Sequence, residues 1–335
     1  MALTRSQMNA LLREYEKLTS KTYLTSVQRA KLRANIKALA QAIETGDIDR
    51  IMLASGIREG MYSSFTESIR NAYLESGIFI LAADIPKRFA MEFDINNPRA
   101  ESWLRNNSSQ LITGRLMPEQ REAIQVMLRD GMIKGKNPRS VALDIVGRMS
   151  QVTGRRSGGV IGLTSQQATY VTNMADDLAD LNSERYFNRK LRDRRFDNIV
   201  QQSMDSGKPL PAAKRQQIVN HYEDRMLKHR GDNIGRTEVL KSLNEASDEA
   251  MRQVVEEGLA PRQAVTKIWR HSFGANEREG HIMMDGQRRK LDEYFVNPIT
   301  GVPLPYPGAG PASEIINCRC WVEHQVDFVA VELAA

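Results

Sequence analysis

Apolar residues recur with a helical period through the first 44 residues of the chain. Leu11 and Leu18 stand seven positions apart, and Leu32, Ile36, Leu39 and Ile43 then follow one another at three or four positions. This spacing predicts two amphipathic helices, and the polar residues between positions 19 and 25 predict a break between them. Because the apolar stripe is narrow, we expect this helical hairpin to pack on the rest of the protein or on another chain.

The pattern up to residue 150 also predicts helices. A helical stretch runs from Asp47 to Tyr73, and we interpret the short apolar run 78–83 as a buried connection. Residues 106–114, which contain Asn-Asn-Ser-Ser and Thr-Gly, predict a loop. Further helices are expected from Pro118 to Arg129 and after Asn137, since proline is favoured at the first helical position and asparagine at the cap before it.

The middle of the chain combines a glycine-rich loop with a long helix. The loop covers residues 154–162, and a helix begins after it at Thr164. From about residue 233 to 257 the apolar positions form one stripe, which predicts a long helix ended by Gly258. The loop lacks the preceding strand and the Gly-Lys-Ser/Thr ending of a P-loop, so we interpret its glycines as turn residues.

Beyond Pro261 the apolar period changes from helical to alternating, which predicts strands. One strand begins at Val265, residues 297–301 have the composition of a hairpin turn, and Ile316–Val326 is a final strand. The predicted fold is therefore mainly α, an elongated multi-helix body with a small C-terminal α+β domain. We divide it into an N-terminal helical region (1–150), a central helical region (151–258) with the long helix 233–257, and the α+β domain (259–335).

The composition is that of a folded protein without membrane segments. Hydrophobic residues make up 41% and charged residues 26% of the 335 positions, which is far from the composition of disordered chains. No apolar run approaches the roughly 18 residues that a membrane helix needs, and no signal-peptide pattern is present at the start. Two cysteines one residue apart cannot form a disulfide framework, so we expect a cytosol-like compartment.

The charge balance leans weakly towards anionic partners. The chain has 47 basic and 41 acidic residues, a net charge of +6, and 33 of the basic residues are arginines, which bind phosphate and carboxylate well. Six basic residues are candidates for contact with nucleic acid or a partner protein: Arg185, Arg189, Lys190, Arg192, Arg194 and Arg195. Tyr186, Phe187 and Phe196 lie among them, which suits stacking on a polyanion. The alternative is a solvated charged surface.

Cys318 and Cys320 are the only cysteines of the chain and the candidates for a metal site. In a strand their Cα atoms would be about 6.6 Å apart, which suits one metal ion only where the strand bulges. His281 is the candidate third ligand of a structural Zn²⁺, with His271 as an alternative, whereas His324 would lie about 13 Å beyond Cys320. The pair lacks the Cys-x₂₋₄-Cys spacing of zinc ribbons. Reduced cysteines buried as small core residues are the commoner case, the metal site is the alternative, and no other cofactor is predicted.

The chain carries no motif that predicts catalysis. Cys318 or Cys320 could act as a nucleophile only with a histidine in hydrogen-bond reach and an orienting group, for which Glu277 and Asp285 are nearest. There is no His-Glu-x-x-His, no Gly-x-Ser-x-Gly and no carboxylate pair that spacing identifies. We therefore expect a protein that is not an enzyme.

A series of short motifs covers roughly residues 150–325, and the first 150 residues match more vaguely. In chain order the motifs are Gly154–Gln167, Ile234–Glu238, Trp269, His281, Asp285-Gly286, Leu291–Glu293 with Phe295, Tyr306–Gly308 and Ile316–Cys320. Together they resemble the phage Mu-type head morphogenesis family of portal-associated minor capsid proteins.

The resemblance implies a protein of the host cytoplasm during assembly and of the virion interior afterwards. Its partners would be the phage portal protein and capsid or scaffold components, with packaged DNA as a further contact, and its role head assembly and DNA delivery. The family has no agreed catalytic residues to carry over. Two alternatives stay open. One is an injected enzyme of nuclease or ADP-ribosyltransferase type, centred on Arg236, Glu238, His281 and the cysteines. The other is a sequence-independent DNA-binding protein that uses residues 185–195.

Overall fold

The structure is a computed structural model that describes residues 5–86, 91–151, 153–272 and 277–328. It is 65% helix and 7% strand, with a small strand-containing region near the C-terminus. The predicted class, mainly α with a small α+β region, is confirmed. The helices are α1 (Arg5–Arg33), α2 (Ile36–Thr45), α3 (Ile48–Ala54), α4 (Ser63–Asp84), α5 (Pro98–Leu111), α6 (Met117–Ile133), α7 (Pro138–Val146), α8 (Ser165–Ala179), α9 (Ser183–Phe187), α10 (Asp197–Asp205), α11 (Ala212–Glu256), α12 (Glu279–Met283) and α13 (Ala312–Ile315).

Within the described residues the strands form three small antiparallel sheets. They are β1 (Arg148–Met149), β2 (Arg156–Ser157), β3 (Val265–Arg270), β4 (Arg288–Lys290), β5 (Phe295–Val296), β6 (Pro303–Leu304) and β7 (Trp321–Val326). The largest sheet has the order β4-β3-β7, with Trp269 opposite Val322 and Lys267 opposite His324. Strands β5 and β6 form the hairpin that was predicted around residues 297–301.

The chain forms two compact units from interleaved segments. The first unit comprises the described residues within Met1–Thr22, Phe65–Ser108 and Asp232–Ala335, and the second comprises those within Tyr23–Ser64 and Ser109–Gly231. This differs from the consecutive regions 1–150, 151–258 and 259–335, because α1 and α11 each contribute residues to both units.

The core of the first unit is formed by α1, α4, α5, α11 and the C-terminal strands. Leu240, Leu243, Ala250, Met251 and Val254 are buried, as the apolar stripe predicted, and they share one hydrophobic cluster with the two cysteines and with Trp269, Phe295 and Trp321. The cysteines therefore lie inside the packed interior of this unit.

The predicted break at residues 19–25 is wrong, because α1 continues through these positions to Arg33. The polar side chains at these positions form hydrogen bonds within the helix or with α11. Thr22 donates to the carbonyl of Thr19, and Ser20 donates to Asp232 of α11 at 2.7 Å. The break comes at Asn35, whose side chain accepts the amide of Ala38 and caps α2.

Three other segments between residues 47 and 116 differ from the prediction. The stretch 47–73 is divided between α3, a 3₁₀ turn at Glu59–Tyr62 and the first half of α4, and Asp47 caps α3. The run 78–83 is part of α4 and not a connection between helices. Ile80 and Leu81 lie on the buried face of the helix, and Ile78 is exposed. Residues 106–114 lie in α5 and a π turn, where Thr113 donates to the carbonyl of Ser109 at 2.7 Å.

Helix α11 begins at Ala212, 21 residues before the predicted start near 233. Gly231 and Gly235 lie inside the helix. A Cβ atom at Gly235 would be 2.8 Å from both the Glu16 carbonyl oxygen and the Ser20 amide nitrogen. Glycine is therefore needed for a close helix contact, not for a cap.

Predictions from local capping signals are confirmed. Asn137 caps α7 with Pro138 in the first turn. Thr164 and Gln167 form a reciprocal capping box at the start of α8. These signals act within three or four residues and do not depend on the rest of the fold.

Candidate metal centre

The two cysteines lie in a loop that precedes β7, not in a strand that begins at Ile316 as predicted. Asn317 has a left-handed backbone with φ of 58°, and the Cys318 amide donates to the Ile315 carbonyl. Asn244 of α11 fixes the far end of the loop: its amide nitrogen donates to the carbonyl of Cys320 at 3.3 Å and its oxygen accepts the amide of Val322 at 2.8 Å. This turn brings both sulfur atoms to one side of the chain.

Both sulfurs converge on one nitrogen of His281. Its Nδ1 lies 3.4 Å from Cys318 Sγ and 3.6 Å from Cys320 Sγ, and the three atoms all lie within 4.8 Å of one another. At Zn–S and Zn–N lengths of about 2.3 Å and 2.0–2.1 Å, tetrahedral ligands place nitrogen and sulfur about 3.6 Å apart. The spacing therefore fits a bound Zn²⁺, and the three residues are 2–4% exposed.

The other ring nitrogen of His281 faces a carboxylate. Nε2 lies 2.8 Å from Glu314 Oε2, and the same carboxylate accepts from Asn297 Nδ2 at 3.0 Å and Thr300 Oγ1 at 2.9 Å. Burial raises the pKa of Glu314, but the hydrogen bonds from His281, Thr300 and Asn297 outweigh it and lower the pKa. Glu314 is thus an ionised acceptor beside the histidine.

The electrostatics favour a negatively charged sulfur at Cys318. The hydrogen bond from Cys320 and the neighbouring His281 hold the pKa of Cys318 well below the ordinary thiol value, against the opposing effect of burial. The pKa of Cys320 is raised well above that value by the same hydrogen bond and by burial. The amide of Cys320 also points at Cys318 Sγ, at 3.4 Å. A thiolate is the form that binds metal.

The remaining candidate histidines lie outside this group of ligand atoms. The backbone amide of His271 donates to Asp285 Oδ1 at 2.8 Å. His324 lies instead against Ser247 at 2.9 Å and Asp248 at 3.4 Å, which agrees with the distance argument from the sequence. Glu277 and Asp285 were the orienting groups suggested for a catalytic cysteine. The carboxylate that lies against His281 is that of Glu314, whereas Asp285 accepts the amide of His271.

The six basic candidates divide into two sets. Arg189 pairs with Asp177, Arg192 with Asp197 and Arg195 with Asp193, so these three have carboxylate partners within the second unit. Arg185, Lys190 and Arg194 are exposed. The segment is not one helix, because α9 ends at Phe187 and a 3₁₀ turn follows at Arg194–Phe196.

The glycine-rich loop binds carboxylates of its own chain. The amides of Gly158 and Gly159 donate to Asp224 and Glu223, each at 2.9 Å. Lys31 donates to the carbonyls of the same two glycines at 2.7 and 3.2 Å. These amides therefore already have carboxyl acceptors within the chain, and Gly158 and Gly159 have the positive φ angles of turn residues.

Sequence reasoning missed Glu314, Asn297 and Thr300. They come from α13 and from the β5–β6 turn, and Glu314 lies 33 positions from His281 along the chain. A carboxylate four residues before Cys318 is the one signal that the sequence offers, and by itself it names no partner.

No family model, no curated protein and no solved structure matches this chain. In the part of the chain that the structure describes, no helix is both long enough and apolar enough to cross a membrane. A function has to be inferred from the motif series and from the geometry of the site.

Proposed function

We propose that this protein is a minor head protein of a tailed phage, carried in few copies inside the capsid next to the portal and acting in head assembly and DNA delivery. The support is the motif series between residues 150 and 325 that resembles the Mu-type head morphogenesis family. Members of that series, Trp269, His281, Cys318 and Cys320, lie in one buried cluster, with the Trp269 and His281 rings 5.3 Å apart. Motif residues that are far apart in sequence thus form one centre.

The test is the location of the protein and its binding to the portal. We expect immunoblots of purified procapsids and virions to detect it in few copies, and immobilised portal protein to retain it. Absence from both kinds of particle, together with no retention by the portal, would overturn the proposal.

At the centre, His281, Cys318 and Cys320 bind one Zn²⁺ that has a structural role. The observation that carries this assignment is the convergence of two sulfurs on a single imidazole nitrogen, at 3.4 and 3.6 Å. Thiolates and imidazole are ligands that zinc prefers, and a fourth ligand such as water would complete the tetrahedron around the ion. The ion would join α12 to the loop before β7, two short elements that have few backbone hydrogen bonds of their own.

Elemental mass spectrometry on protein purified without added zinc tests the centre. We expect close to one zinc per chain in the parent protein and in His221→Asn, a control in the second unit, and a large loss of zinc in Cys318→Ser and His281→Asn. Substoichiometric zinc in the parent protein would reject the centre.

A Cys318–His281–Glu314 catalytic triad is the competing interpretation of the same residues. The thiol of the nucleophile contacts one nitrogen of the histidine base, and the orienting carboxylate contacts the other. A triad needs one sulfur at the imidazole, whereas two are present, and Cys318 is 4% exposed. Alkylation by iodoacetamide separates the two. A zinc thiolate reacts slowly until a chelator is added, while an activated nucleophile reacts fast without one.

DNA binding by the basic segment is a second candidate role, favoured by the exposure of Arg185, Lys190 and Arg194 and by the lack of ion pairs for them among the described residues. We expect replacement of all three by serine to weaken binding to DNA and to flatten its salt dependence. The matched control removes the same charge from α1, at the exposed residues Arg13, Lys17 and Lys21. Equal affinity of the two triple variants would argue against this role.

A further inference from the structure

We infer that Glu314 is the outer partner of the metal centre, which makes His281 bind the ion through Nδ1 while its Nε2–H is donated to the carboxylate. This inference rests on the proposed zinc centre and names the residue that orients its histidine. Glu314 does not touch the ion and is a positioning residue.

The carboxylate of Glu314 accepts hydrogen bonds at both of its oxygens. Oε2 of Glu314 accepts from Asn297 at 3.0 Å and lies 2.8 Å from His281 Nε2, while Oε1 accepts from Thr300 at 2.9 Å. A carboxylate that receives an amide and a hydroxyl donor in this way is an acceptor. The proton of its contact with His281 therefore belongs to Nε2.

The two ring nitrogens of His281 have different roles in a neutral imidazole. A neutral ring that has its proton on Nε2 has its lone pair on Nδ1, and Nδ1 is the nitrogen that faces both sulfurs. A ring that ligates a metal commonly donates its other N–H to a carboxylate, which sets the tautomer and the ring orientation. The two faces of His281 thus have different and complementary roles.

The residues around Glu314 hold its carboxylate against His281. The side-chain oxygen of Asn297 accepts the amides of Ile299 and Thr300, which fixes the β5–β6 turn and presents both Asn297 and Thr300 to Glu314. Position 280 is glycine, and a Cβ atom there would collide with the amide group of Asn297. Glu314 is 3% exposed, so these contacts are shielded from water.

Zinc affinity measured by competition with a chromophoric chelator tests the role of Glu314. We expect Glu314→Gln to weaken zinc binding by about 10- to 100-fold and to alter the visible spectrum of the Co²⁺-substituted protein. Glu257→Gln, which changes an exposed carboxylate in the same unit, should leave both unchanged. Equal zinc affinity of Glu314→Gln and the parent protein would overturn the role of Glu314 while leaving the centre intact.

A second measurement does not depend on the variant folding. Long-range ¹H–¹⁵N correlation on the zinc-loaded parent protein should show His281 with a protonated Nε2 and a metal-bound Nδ1. The opposite assignment, with Nε2 on the metal, would overturn the inference although zinc is bound. Absence of bound zinc in the parent protein would overturn the centre itself and the role of Glu314 together.

Discussion

At the scale of single residues, Glu245 on α11 should make the stability of the first unit depend on pH. Burial raises the pKa of Glu245 to about 7, and the nearby carboxylates of Asp248 and Glu249 act in the same direction, against hydrogen bonding by Tyr306 and the charge of Arg252. The unfolded chain, with an ordinary glutamate pKa of 4.5, loses the proton of this carboxyl group at lower pH than the folded protein does.

The sign of the effect follows from this order of pKa values. The stabilisation is fully present below about pH 4.5 and is lost as the pH rises through about 7, by an amount on the order of 3 kcal/mol. Because glutamine has no charge to bury, we expect Glu245→Gln to gain stability relative to the parent protein between pH 4.5 and pH 8. Thermal unfolding at several pH values measures this difference. A difference that is constant across the range, as we expect for the exposed control Glu257→Gln, would contradict it.

The residues of the metal centre show what a sequence can and cannot reveal. Cysteine and histidine are rare residue types with known ligand chemistry. The sequence alone therefore makes Cys318, Cys320 and His281 candidate metal ligands. Glu314 is one of 41 acidic residues, and its role depends on contacts with α12 and the β5–β6 turn that no local pattern encodes. The predicted strand placed the cysteines on one face, whereas in the structure they lie in the loop before β7, where the Cys320 amide donates to Cys318 Sγ.

At the scale of elements, Gly235 sets how closely α11 can approach α1. Alanine at this position would place its Cβ atom 2.8 Å from two backbone atoms of α1, at Glu16 and Ser20, and backbone atoms cannot move aside as a flexible side chain can. Overpacking costs about 1–3 kcal/mol, which exceeds the gain of about 1 kcal/mol from helix propensity. We expect Gly235→Ala to destabilise the protein in denaturant titrations.

Gly114→Ala is the matched control for this prediction. No atom lies within 4 Å of a Cβ atom at position 114, so the backbone gain should remain and stability should rise slightly or stay the same. If both alanine variants were equally stable, the close contact between α1 and α11 would not be the reason for the glycine.

Lys31 on α1 should be essential for the glycine-rich loop of the second unit. It is 1% exposed and donates to the carbonyls of Gly158 and Gly159, close to the buried Glu223, whose pKa is raised to about 8 by burial. Lys31→Met would leave these two buried carbonyls without their donor, and each buried acceptor that is left unsatisfied costs about 1–3 kcal/mol. We expect a lower melting temperature and faster amide exchange at residues 157–162.

Lys37→Met provides the comparison, because Lys37 is exposed on the neighbouring helix α2. This variant should melt within a degree or two of the parent protein, since surface substitutions usually change stability by less than about 0.5 kcal/mol. Normal exchange at residues 157–162 in Lys31→Met would show that the carboxylates of Glu223 and Asp224 hold the loop alone.

Elements were predictable from the sequence where their signals are local. Asn137 before Pro138, and Thr164 with Gln167, mark the starts of α7 and α8 within one turn. The continuity of α1 through Thr19 and Ser20 and the early start of α11 depend on partners such as Asp232 and Glu16, which are distant in sequence. Local patterns therefore predict helix ends at residues 19–25 and near residue 233 that the structure does not have.

At the scale of the whole molecule, the two units are interleaved along the chain. Residues of α1 and α11 belong to both, and the first unit takes its parts from the beginning, the middle and the end of the sequence. Periodicity identifies a helix and its buried face but not the segment that covers this face. A division into consecutive regions follows from that limit, because a change of period marks a change of element type and not the boundary of a compact unit.

Zinc removal should therefore act on specific parts of one unit. The ion would join α12 to the loop at 316–320, while β3 and β7 keep their ladder of backbone hydrogen bonds and the buried Trp269 and Trp321. After chelation we expect amide hydrogen exchange to rise most in α12, α13 and residues 316–320, less in β3 and β7, and not at all in α6 and α8 of the second unit. Excess zinc should restore protection, since local opening and not global unfolding is the cause. Uniform acceleration in both units would show instead that the ion supports the whole fold, and unchanged exchange at residues 316–320 would show that it holds nothing in place.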